Sequence, residues 1–72
     1  MLGEEIRTVR QKLGLSQEAL AEKSGLHRTY ISLLERNKKS PTIETLFRIC
    51  KALGVSAASL IKKVETGRNE NH

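Results

Sequence analysis

The residues that could do chemistry cluster between 28 and 36. If a helix runs through this stretch, its wheel turns Ile31, Leu34 and Glu35 inward. Thr29, Ser32, Leu33 and Arg36 then face outward, with Arg28 flanking them in the first turn. That outward set offers a guanidinium able to take two guanine acceptors, hydroxyls that hydrogen-bond to base edges, and methyls that can meet a thymine methyl. It suits reading a nucleic acid better than simple solvation. It offers no catalysis. The two histidines, His27 and His72, have no obvious partners, and the one cysteine, Cys50, can form neither an intramolecular disulfide nor a cysteine-based zinc site. With no convergent acid–base or nucleophile set, an enzyme, a cofactor, a bound metal and a small-molecule ligand are all unexpected.

The elements that must hold this face are short helices. Leu2, Ile6, Val9 and Leu13 form one stripe of a first helix, stopped by Gly14. Ser16 starts a second, Gln17 to Ser24, ended by Gly25; His27 starts a third, Arg28 to about Asn37. Pro41 marks a loop. Thr42 caps a fourth, Ile43 to Leu53, and Ser56 caps a fifth, Ala57 to about Glu65. No segment alternates like a strand, so the fold class is all-α: five helices in one compact domain over residues 1–65, with 66–72 expected to be a polar, disordered tail.

The joint between the second and third helices is the most specific feature. Counting from Gln17, Ala21 is fifth, Gly25 ninth, Ile31 fifteenth and Leu34 eighteenth. A steeply crossed helix pair needs a small residue at the crossing, a turn residue tolerant of positive φ, and two apolar plugs on the second helix. All four are present.

Charge agrees. The chain has 72 residues, 13 Lys plus Arg against 8 acidic residues, and a net charge of +5. Residues 1–26 balance to zero, whereas Arg28, Arg36, Lys38, Lys39, Arg48 and Lys51 outweigh Glu35 and Glu44 in the middle third. A basic surface can serve solubility alone; its concentration around the candidate reading helix favours a polyanionic partner. Tyr30 and Phe47 are the only aromatics, too few for a single-strand stacking platform. No apolar run is long enough to span a membrane, and a cytoplasmic location is the default.

The runs Leu15-Ser16-Gln17-Glu18-Ala19-Leu20-Ala21, Gly25 to Ser32 and Glu35-Arg36-Asn37 resemble the Cro/repressor-type (lambda-repressor-like) helix-turn-helix family over about residues 4–65. Within it, Leu26-His27-Arg28-Thr29-Tyr30-Ile31-Ser32 is most similar to the controller proteins of restriction–modification systems. The resemblance implies a third helix in the major groove of double-stranded DNA, with Arg28 and Thr29 reading bases, Tyr30 and Ser32 beside them, and Leu33 near a thymine methyl or idle. It implies that Gln17 holds a phosphate and braces position 28, and that Arg36, Asn37, Lys38, Lys39 and Thr42 grip the backbone. It further implies a partly buried Arg10–Glu35 pair as scaffold, and a twofold homodimer through Phe47, Leu60, Ile61 and Val64. The expected function is a transcriptional regulator on a palindromic operator, the controller of a restriction–modification operon. The alternatives are an autoregulating antitoxin and a phage-type repressor. RNA polymerase stands as a further candidate partner.

Overall fold

The computed structural model describes residues 1–69, which form five helices: α1 (Leu2–Lys12), α2 (Gln17–Ser24), α3 (Arg28–Glu35), α4 (Ile43–Leu53) and α5 (Ala57–Asn69). Side-chain caps start three of them. Ser16 Oγ accepts from the Ala19 N–H, Thr42 Oγ1 from Thr45 and Ser56 Oγ from Ser59, each satisfying an amide that has no partner inside its helix. Gly25 and Gly54 end α2 and α4 at φ 72°, a left-handed conformation that costs glycine nothing.

The core is contributed by all five helices: Ile6 and Val9 from α1, Leu20 and Ala21 from α2, Ile31 and Leu34 from α3, Leu46, Ile49, Cys50 and Leu53 from α4, and Leu60 from α5. α2 packs on α3 and α4, while α1 lies against α3 and α5. Each buried face follows the 3.6-residue period.

Four details differ from the sequence reading. Leu13, expected on the inward stripe, is 52% exposed because α1 stops at Lys12 and Leu13 serves as its C-cap; Leu15 packs on the core instead. α3 ends at Glu35, two residues early, because Asn37 adopts φ 58° and leaves the helical path. His27 occupies the N-cap position of α3 but its side chain makes no cap hydrogen bond. α5 continues to Asn69, so residues 66–69 are helix and not tail; residues 70–72 of the expected tail lie outside the described residues.

Candidate nucleic-acid interface

The mounting of α3 begins at the turn. Gly25 takes its left-handed conformation, the Leu26 N–H donates to the Ala21 carbonyl at 2.9 Å, and three residues separate α2 from α3. Ala21 is buried at the crossing, and Ile31 and Leu34 are sealed beneath α3. This leaves Arg28 and Thr29 exposed at the N-terminal end of α3. Ser32 and Leu33 are half-buried. So is Tyr30, whose ring packs partly on the core and presents only its remaining surface outward.

Beneath the reading face lies a buried ion pair. Arg10 Nε donates to Glu35 Oε2 at 2.6 Å and Arg10 Nη2 to Glu35 Oε1 at 2.9 Å. Arg10 Nη1 donates to the Leu15 carbonyl at 2.8 Å, so one guanidinium ties α1, the α1–α2 turn and α3 together. The hydrogen bond to Glu35 holds the Arg10 pKa above its ordinary value against the opposing effect of burial, and the carboxylate charge adds to it. Two parallel N–H···O bonds fix orientation as well as distance.

Gln17 joins this network. Its Nε2 donates to Glu35 Oε1 at 3.1 Å. The structure pairs Gln17 with Glu35 and shows no contact between Gln17 and Arg28. The contact to Arg28 comes from the next residue: Glu18 Oε1 lies 3.4 Å from Arg28 Nε. Sequence reasoning missed Glu18; its place beside Gln17 in the first turn of α2 was the available signal.

The residues expected at phosphates divide. Arg36, Lys38 and Lys39 are exposed after α3, with Arg36 Nε donating at 3.4 Å to the Ser32 carbonyl. Asn37 and Thr42 have structural work. Asn37 Oδ1 accepts the Gly3 N–H at 3.0 Å, closing the first turn of α1 from 34 positions away. Thr42 Oγ1 caps α4 and shares a second hydrogen bond with Thr45 Oγ1 at 3.0 Å.

The expected dimer residues also divide. Leu60 is 1% exposed and belongs to its own domain's core, because it is the residue of α5 that faces α1 and α4; it is not available to a partner. Val64 is half-buried and lines a cavity of about 170 Å³ with Met1, Leu2 and Pro41 of its own chain. Phe47 and Ile61 are 57% and 38% exposed. Ile43, one turn before Phe47 on α4, is exposed as well and was not anticipated. Among the described residues no group of three or more His, Cys, Asp or Glu side chains could hold a metal ion, and no helix is long and apolar enough to cross a membrane.

A helix-turn-helix family model matches residues 6–60, which span α2, α3 and the core-forming parts of the other three helices. The chain belongs to the Cro/repressor-type helix-turn-helix family. Among its relatives is the control protein C.SmaI of Serratia marcescens, 46% identical over 63 residues, covering 88% of this chain and 75% of that one. Another is the control protein C.BamHI of Bacillus amyloliquefaciens, 38% identical over 71 residues, covering 97% and 88%. The crystal structure of SinR, a master regulator of biofilm formation, in complex with DNA superposes with a TM-score of 0.81 at 37% identity, covering 85% of this chain and 98% of that one. In this helix-turn-helix family member the pair α2–α3 is the motif, and its second helix is the eight-residue α3.

Proposed function

We propose that this helix-turn-helix protein is a sequence-specific transcriptional regulator, the controller of a restriction–modification operon, acting as a homodimer on a palindromic operator. The observation that carries the reading is the mounting of α3: an immobilised helix whose exposed N-terminal end presents Arg28 and Thr29. The similarity to C.SmaI and C.BamHI supports the narrower assignment to restriction–modification control.

In this reading α3 enters the major groove, where Arg28 takes guanine acceptors and Thr29, Ser32 and the free part of Tyr30 meet neighbouring base edges. Leu33 offers methyls to a thymine. Arg36, Lys38 and Lys39 neutralise phosphates beside the groove, and the N-terminus of α2 adds amide donors and a favourable dipole. Two copies meet through Phe47 and Ile61, with Ile43 alongside Phe47, and set two reading helices roughly 34 Å apart, one turn of DNA. The binding requires no reaction and no cofactor, and its setting is the cytoplasm, where RNA polymerase would respond to the occupied operator.

Selection of bound duplexes from a random pool, with sedimentation on the same sample, tests this. Enrichment of a palindrome with half-sites one turn apart, bound by a dimer, is the expected result. Only salt-labile binding without enrichment overturns it and moves the antitoxin alternative to first place.

A further inference from the structure

We propose that Glu18 is a positioning residue for DNA reading: it holds Arg28 for a guanine and withholds it from phosphates. The inference rests on the regulator reading above and deepens it. Its ground is the contact between Glu18 Oε1 and Arg28 Nε at 3.4 Å, which joins the first turn of α2 to the first residue of α3.

The contact is exposed at both ends, 60% for the Arg28 side chain and 72% for Glu18. Such a pair adds little to fold stability. Its effect is on geometry and charge. The carboxylate comes nearest the inner edge of the guanidinium, at Nε, and the Arg28 side chain makes no hydrogen bond among the described residues. Nη1 and Nη2 therefore remain as an end-on fork, the arrangement that meets guanine O6 and N7 together. An arginine carries about 2 kcal/mol of rotamer entropy, so a side chain already restrained has less to lose on docking.

Charge works in the same direction. Glu18 stands in the turn of α2 that faces the DNA backbone in the regulator reading, where a carboxylate is repelled by phosphates. Paired with Glu18, Arg28 adds almost no net attraction to an arbitrary duplex. It contributes only where two guanine acceptors repay its full desolvation. Glu18 thereby lowers binding to all DNA and sharpens discrimination at one base pair. A residue serving α2 alone would do neither selectively.

The test uses the full chain and the duplex enriched by the wild-type protein from a random pool. Arg28→Ala identifies the base pair whose substitution no longer matters. Affinities are then measured for the enriched duplex and its variant at that pair, with wild type, Glu18→Gln, Arg28→Ala and the double variant. Glu18→Gln is expected to bind the substituted duplex more tightly and to reduce discrimination at that pair by about two- to fivefold, the range of an exposed ion pair. In the Arg28→Ala background the same change should leave discrimination unaltered. Unchanged discrimination in Glu18→Gln, or an equal loss without Arg28, overturns the proposal. A wild-type chain that enriches no duplex overturns the regulator reading itself, whereas wild-type enrichment with an intact Glu18→Gln ratio overturns the role of Glu18 alone.

Discussion

Arg10 and Glu35, 25 positions apart, meet in two parallel hydrogen bonds of 2.6 and 2.9 Å inside the domain. Removing one partner leaves the other charge buried without compensation. Glu35→Ala should cost about 3–5 kcal/mol of stability, in the range for breaking a buried pair, read as a fall in the urea midpoint. Replacing both residues with apolar ones of similar volume should cost less than either single change. A single Glu35→Ala loss below about 1 kcal/mol would put the pair among ordinary surface contacts.

Gly3 lies where a side chain cannot. A Cβ built there would stand 2.2 Å from the Leu34 carbonyl oxygen and 2.8 Å from that of Glu35, both main-chain atoms. Gly3→Ala must therefore push α1 away from the end of α3. The expected cost is about 1–3 kcal/mol, as for other overpacked sites, measured by thermal or urea unfolding. The gain in helix propensity from alanine is smaller than this, so a stabilised variant would contradict the close approach.

Arg28 and the lysines after α3 should behave differently on DNA. Arg28→Ala should lose roughly 1–3 kcal/mol on the enriched duplex and relax preference at one base pair. Lys38→Ala and Lys39→Ala should weaken all sequences alike and lower the slope of log affinity against log salt by about one. Equal weakening of every duplex by Arg28→Ala, or a changed base preference in either lysine variant, would reverse the assignment.

Phe47 and Ile61 carry the proposed contact between copies. Phe47→Asp or Ile61→Asp should give monomers in sedimentation with the fold intact by circular dichroism, because both side chains are exposed in the isolated domain. Leu60→Asp should instead unfold the domain, since it places a charge in the core. A dimer that survives both exposed substitutions lies elsewhere.

Cys50 is buried, and burial pushes its thiol pKa up. The unfolded chain therefore ionises first as pH rises. The folded state should lose stability through the alkaline thiol range and regain it below, and Cys50→Ser should flatten that dependence. Thiol labelling at neutral pH should be slow in the folded protein and accelerate with urea; rapid labelling without urea would mean that the site opens.

The helices and the α2–α3 joint were readable because short-range signals set them. Ser16, Gly25, Thr42 and Gly54 punctuate the chain, and Ala21, Ile31 and Leu34 repeat at the period of a packed pair. What was not readable depends on rotations and reach. Leu60 and Ile61 are adjacent and equally apolar, so a small roll of α5 decides which is in the core, and the structure buries Leu60. Gln17 and Glu18 are both long side chains at the start of α2. The structure pairs Gln17 with Glu35 and Glu18 with Arg28, a division that depends on where Glu35 and Arg28 lie in space. Asn37 looked like part of a basic, DNA-facing run until its left-handed backbone and its bond to Gly3 were seen.

That bond from the Gly3 amide to Asn37 has a consequence for modularity. The turn just after α3 is clasped by the first turn of α1, and the middle of α3 is plugged by residues from the rest of the core. The helix pair is therefore no portable cassette. Grafted alone onto another scaffold, α2 and α3 would lose both the clasp and the Arg10 strut. In native-state hydrogen exchange, the Gly3 amide should open together with the interior amides of α3, as one cooperative unit whose two parts are far apart in the chain.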